Sequence, residues 1–285
     1  MEKMYEYLIN KIFTVPYFDK MISGESTPDA FLKCVKRYVK EDDITYGKAI
    51  SEIYHYMQVA YRNEYFYKNT IFNQLLIKKH NLYKTAALTE LPIAESKADF
   101  IMINGKGVVY EIKTDLDNLV RLENQINDYY KAFSYVYVVV GVKQYKKVRE
   151  FLEQKKVGIY VLYDSGNLIC RKKAVCDNEE LSYETMFRML RKKEFERILF
   201  KYYKKLPQVN SFQYYRECLE WIKKIDILLL QKELCTALKA RTLLVINNPL
   251  EENIPQELRF YAYFSKEFHG NYEKIDTFLN SKMEV

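Results

Sequence analysis

Between about Asn81 and Cys176 the chain changes texture, and no other feature narrows its fold as far. Leu91–Ile93, Asp99–Ile103, Val108–Lys113, Tyr135–Val142 and Val157–Tyr163 are short runs of β-branched and aromatic residues, the composition of strands. Asn104-Gly105, between the second and third runs, is a turn signal. One amphipathic helix, Asp117–Phe133, interrupts them. Asp117 suits its N-cap, and Leu119, Leu122, Ile126 and Tyr130 recur on one face. A second helix, Tyr145–Gln154, links two later strands. An antiparallel hairpin passing into strand–helix–strand crossovers predicts a mixed α/β sheet.

Helical periodicity brackets this block. Residues 1 to about 60 read as helices with polar turns, the clearest at Ser23–Asp29, where Pro28 suits the first turn of a helix over Asp29–Lys40. Ile50 to His80 carries apolar residues at spacings of three and four and predicts one long helix. From Cys176 the helical texture holds to the C-terminus, with breaks at Leu206–Asn210 and Asn247–Pro255. The predicted organisation is a helical segment over 1–59, an α/β core over 60–175 and a helical domain over 176–285.

Composition removes several classes of chemistry. No apolar run approaches the ~18 residues of a membrane span, and the N-terminus mixes charges into its apolar positions, unlike a signal peptide, so a cytoplasmic protein is expected. The five cysteines are scattered and the three histidines stand far apart, so a Cys/His zinc site has no ligand set. Glycine is scarce, at 8 residues, and neither GxxxxGK[ST] nor GxGxxG occurs. Carboxylates, lysines and tyrosines remain. The net charge of +7 permits a polyanionic partner without requiring one.

Lys97-Ala98-Asp99 precedes the Asn-Gly turn, and Glu111-Ile112-Lys113 follows it. Strand alternation puts Glu111 and Lys113 on one face. A three-residue loop pairs Ile103 with Gly107 and sets Asp99 opposite Glu111, whereas a two-residue loop pairs Asp99 with Tyr110 and turns its carboxylate away. An acidic cluster therefore requires an odd loop or a compensating bulge. Two carboxylates and a lysine at one sheet end are costly unless compensated. A divalent cation, Mg2+ or Mn2+, resolves the conflict with hard oxygen ligands, and the combination points to metal-assisted phosphodiester hydrolysis. The alternative is a hairpin with solvated charges.

The D-x11-E-x-K pattern of Asp99, Glu111 and Lys113 resembles the signature of the PD-(D/E)XK nuclease superfamily, with Ala98 in the place of the family's proline. Glu64 lies on the helix before the first core strand, where the family often keeps another metal-binding glutamate. Gln125 and Tyr129 resemble the QxxxY motif of RecB-like members, and Arg121 completes that helix face. The run EIKTDLDNLVRLENQINDYY with the strand YVYVVVG is similar to a bacterial branch of the superfamily, and the likeness covers about residues 60–165. The resemblance implies a restriction-endonuclease-like mixed sheet core flanked by N- and C-terminal helical segments. It also implies that Asp99 and Glu111, with the backbone carbonyl of Ile112 and with Glu64, bind Mg2+ or Mn2+. Lys113 would then act on the attacking water, while Gln125, Tyr129 and Arg121 position the nucleic-acid backbone.

Leu181–Lys205 concentrates positive charge, eight basic residues against three acidic. Arg188, Arg191, Lys192 and Lys193 head this segment as candidate phosphate contacts. Its aromatics, Phe195, Phe200, Tyr202 and Tyr203, read mainly as core residues of an amphipathic helix. The expectation is a metal-dependent nuclease whose partner is nucleic acid, DNA before RNA, with no membrane. The rival expectation is a nucleic-acid-binding or scaffold protein that keeps the nuclease fold without turnover.

Overall fold

The computed structural model describes residues 2–24, 29–41, 43–80, 82, 84–241, 254–267 and 272–283. The chain forms two units, one of Met1–His80, Leu162–Leu168 and Val245–Val285, the other of Asn81–Val161 and Ile169–Leu244. This division differs from the predicted boundaries at residues 59 and 175. Segments from both ends of the sequence share the first unit, and the helices through Ala240 belong with the sheet. No helix among the described residues is long and apolar enough to cross a membrane.

The first unit is helical. It contains α1 (Glu2–Ile12), α2 (Val15–Ile22), α3 (Asp29–Tyr38), α4 (Tyr46–Val59) and α5 (Glu64–Ile71), which continues as a π-helical turn over Phe72–Ile77. The single helix expected over Ile50–His80 is broken before Glu64. Asn63 accepts a hydrogen bond from the Phe66 amide and starts a new helix there. The Ser23–Asp29 break includes residues 25–28, which lie outside the described residues, as does most of Asn247–Pro255. Two later helices, α12 (Arg259–Phe264) and α13 (Tyr272–Asn280), join the N-terminal ones. Buried Asn69 and Asn73 both donate to the Gln256 carbonyl, and Phe18 packs its ring 5.0 Å from that of Tyr261. Such buried amides hold their elements together because each is satisfied.

The second unit is an α/β structure built on a six-stranded mixed sheet in the order β1 to β6. Its strands are β1 (Ala86–Ile93), β2 (Ser96–Asn104), β3 (Lys106–Lys113), β4 (Tyr135–Gly141), β5 (Gly158–Leu162) and β6 (Leu168–Lys172). The first three form an antiparallel meander, and β4 runs parallel to β3. Pro92 is tolerated in β1 because that strand lies at the sheet edge. The other edge strand, β6, was not expected from the sequence. The connecting helices are α6 (Leu122–Tyr130), α7 (Val142–Phe151), α8 (Tyr183–Met189), α9 (Lys192–Tyr203), α10 (Ser211–Ile222) and α11 (Ile227–Ala240).

Two expectations are corrected here. Asp117 does not cap α6; its carboxylate accepts from the amide and hydroxyl of Thr114 and closes a loop, so the helix begins only at Leu122. The basic segment is two helices, since the chain leaves α8 at Leu190 and Arg191 in extended conformation before α9. Of its aromatics, Phe195 is buried but Phe200 is exposed. The cysteines are all free, with Cys34, Cys218 and Cys235 packed in cores and Cys176 exposed.

Close approach at Gly107 brings α11 and the segment that follows α6 onto β3. A Cβ there would lie 2.3 Å from the Phe133 ring and 3.3 Å from Cys235 Sγ. Phe133 is fully buried and has nowhere to move. Gly107→Ala is therefore expected to cost about 1–3 kcal/mol through overpacking, read as a lowered urea midpoint with an unchanged slope.

Candidate active site

The hairpin of β2 and β3 sets the site. Asn104 pairs with Lys106 around Gly105, which sits at φ +74, where glycine carries no Cβ penalty. Ile103 faces Gly107, and Phe100 faces Tyr110, so the register is the one that brings Asp99 and Glu111 to the same level on one face. The Asp99 carboxylate accepts from the Ile112 amide at 2.7 Å, which ties the two strands beyond the last paired residues.

Glu111 is buried, with 1% of its surface exposed. Lys113 Nζ donates to Glu111 Oε1 at 2.8 Å and to Gln125 Oε1 at 2.8 Å. Tyr129 Oη lies 2.5 Å from Glu111 Oε2 and 3.0 Å from the Lys97 carbonyl. Gln125 and Tyr129 reach the strand together because they are one turn apart on α6. Glu111, Lys113, Gln125 and Tyr129 thus meet at the end of the hairpin through one network, and Asp99 is tied to the same strand through the Ile112 amide.

The network has a distinct electrostatic balance. Burial pushes the Glu111 carboxyl above its usual range, and the adjacent Lys113 ammonium works against that shift. Burial, followed by the Glu111 charge, raises Tyr129 as well, so its hydroxyl stays protonated. That hydroxyl has one proton and two acceptors within reach. With Glu111 ionised, the proton goes to the nearer carboxylate oxygen; with Glu111 protonated, Glu111 donates to Tyr129 and Tyr129 donates to Lys97. Tyr129→Phe removes this branch point and leaves one carboxylate oxygen without its donor. We expect a loss of about 1–3 kcal/mol, measurable by urea unfolding.

Other residues named from the sequence contribute no side chain to this hydrogen-bond network. Glu64 belongs to the first unit, at the start of α5, where it pairs with Lys68 at 2.5 Å. Arg121 is exposed immediately before α6. Arg188 is exposed on α8, and Arg191, Lys192 and Lys193 are exposed at the start of α9. The Arg191 amide donates to Glu194, and Lys192 stands 3.9 Å from Glu196 and 5.3 Å from the Tyr214 ring centroid. Glu90 belongs to none of the sequence patterns named above. Its backbone adopts φ +55 between the pairs Thr89–Phe100 and Leu91–Ala98, at the register position of Asp99, and its carboxylate pairs with Lys97 at 2.9 Å. A positive φ inside a strand is the one local signal there, and it is invisible in sequence.

The donor set fits a hard divalent cation in kind: the carboxylates of Asp99 and Glu111 and the carbonyl oxygen of Ile112 are all oxygen ligands. The strand order and the network define the class, an α/β protein with a polar cluster buried at the end of its meander. Residues 57–248 match the family model described as Bacteriophage P4 protein cII. The chain belongs to that family. Comparison with curated proteins gave no match, and neither did comparison with solved structures.

Proposed function

We propose that the chain is a Mg2+- or Mn2+-dependent nuclease acting on DNA, with Asp99 and Glu111 as metal ligands. The observation that supports this reading is the buried Gln125–Lys113–Glu111–Tyr129 network beside Asp99. A lysine and a carboxylate buried together are an unfavourable way to stabilise a fold, and such groups concentrate where chemistry is done. A bound cation would supply Lewis-acid polarisation of the phosphate and a more acidic water. The chain's own residues do the rest. Asp99 and Glu111 provide hard oxygens, with the Ile112 carbonyl next to Glu111 in sequence. Lys113, fixed between Glu111 and Gln125, orients the attacking water and offsets charge that builds on the phosphate. Gln125 and Tyr129 hold lysine and carboxylate in place from α6. The exposed cations Arg121, Arg188, Arg191, Lys192 and Lys193 add salt-dependent attraction to phosphates.

One observation favours the rival reading of an inert nucleic-acid-binding or scaffold protein: both Glu111 oxygens already have donors, Lys113 and Tyr129. Incubation of the purified chain with linear, circular, single-stranded and branched DNA, with each metal, separates the two. Cleavage that disappears in Asp99→Ala supports the nuclease. DNA binding without cleavage under any metal, and no metal binding through Asp99, supports the scaffold.

A further inference from the structure

The second unit holds a cavity of about 620 Å³ formed by the end of β1, the residue after α6, the start and body of α8 and the residue after α11. That volume suits a small organic ligand. Its walls are fixed by hydrogen bonds. The Ser182 amide donates to the Lys131 carbonyl at 2.9 Å, and Arg241 binds Glu194 through Nε and Nη2 while Nη2 also reaches the Met189 carbonyl at 2.8 Å. Arg241 is therefore oriented before any ligand arrives.

The lining has two chemical characters. Lys131, Arg188 and Arg241 bring three cations to the cavity. Lys131 is shared with Asp128, and Arg241 with Glu194, whereas Arg188 has no ion-pair partner among the described residues. A guanidinium held ready beside an unpaired one is a recognition arrangement for a phosphate group. Leu91, Pro92 and Met189 give the cavity an apolar wall, and the exposed Glu95 and Glu180 offer carboxylate oxygens as acceptors at its rim. A phosphate, a flat apolar body and amino or hydroxyl donors are combined in one common molecule class.

We propose that this cavity binds a nucleotide, its phosphate on Arg188 and Arg241 and its base against Leu91, Pro92 and Met189. The nucleotide is either free or a 5′-phosphorylated strand end, and both share this chemistry. None of its residues belongs to the Asp99–Glu111–Lys113 network; Arg188 is shared with the cations that the nuclease reading sets near phosphates, and titration without metal separates the two.

Calorimetric titration of the full chain, without divalent metal, tests it with nucleoside 5′-monophosphates, the parent nucleosides, inorganic phosphate and glucose 6-phosphate. A 5′-phosphorylated and a 5′-hydroxyl oligonucleotide complete the series. The expected result is that a monophosphate or the phosphorylated oligonucleotide binds at least about tenfold tighter than nucleoside, inorganic phosphate or glucose 6-phosphate. The tighter of the first two identifies the source. Arg188→Ala, an exposed position, should weaken that binding about tenfold or more with an unchanged melting temperature. Asp99→Ala should leave it intact. The proposal is overturned by absence of nucleotide binding, by equal binding of glucose 6-phosphate, by indifference to Arg188→Ala, or by loss of binding in Asp99→Ala.

Discussion

Lys113→Ala should lose about 3–5 kcal/mol of folding stability at neutral pH, the scale seen when one partner of a buried ion pair is removed. Its side chain is 10% exposed and that of Glu111 is 1% exposed, so solvent cannot replace the lost ammonium. The loss should depend on pH in a definite direction. Burial already makes the folded chain hold the Glu111 proton more tightly than the unfolded chain does. Stability from this group is therefore complete below the unfolded carboxyl value of 4.5 and is lost as pH rises through the higher folded value. Without Lys113 the folded value climbs further, so the deficit relative to wild type should be large at pH 7 and shrink toward about pH 4–5. Urea unfolding at several pH values reads this directly. A deficit that is small and flat across that range would mean that Glu111 is solvated in the absence of its lysine.

Asp99→Ala carries the second large effect. Under the proposed function it removes a metal ligand, and DNA cleavage should fall on the order of a thousandfold, the equivalent of several kcal/mol of transition-state stabilisation. Stability should change far less than in Lys113→Ala, because Asp99 is only half-buried. Circular dichroism and melting of the variant establish that the fold is retained, and manganese titration should show weakened binding. Cleavage at the wild-type rate by a folded Asp99→Ala variant would place any nuclease activity elsewhere in the chain.

The features legible in the sequence were those set by local geometry. Glu111 and Lys113 share a face through strand alternation, and Gln125 and Tyr129 share one through helix periodicity, whereas the turn at Asn104-Gly105 left two registers open for Asp99, of which the structure takes the odd one. Five strands were readable from β-branched runs. The sixth, Leu168–Lys172, was not, because LICRK mixes lysine and arginine into a half-exposed edge. Helix boundaries failed where side chains compete with the backbone. Asp117 chose Thr114 over the helix, and Asn63 interrupted a run whose apolar spacing continued past it. Sequence could not show the Tyr129–Glu111 bond length, the positive φ of Glu90, or a cavity assembled from four separate stretches of chain.

The division of the chain has a consequence for its synthesis. The helical unit draws on residues up to 80 and again from 245, so most of the sheet unit's sequence is translated between its two main contributions. Emerging from a ribosome, the strands and their helices can collapse while the first five helices still lack the C-terminal pair that completes their packing. Domains fold as units during translation, and here the middle of the polypeptide has its whole sequence in hand before the beginning has the last of its partners.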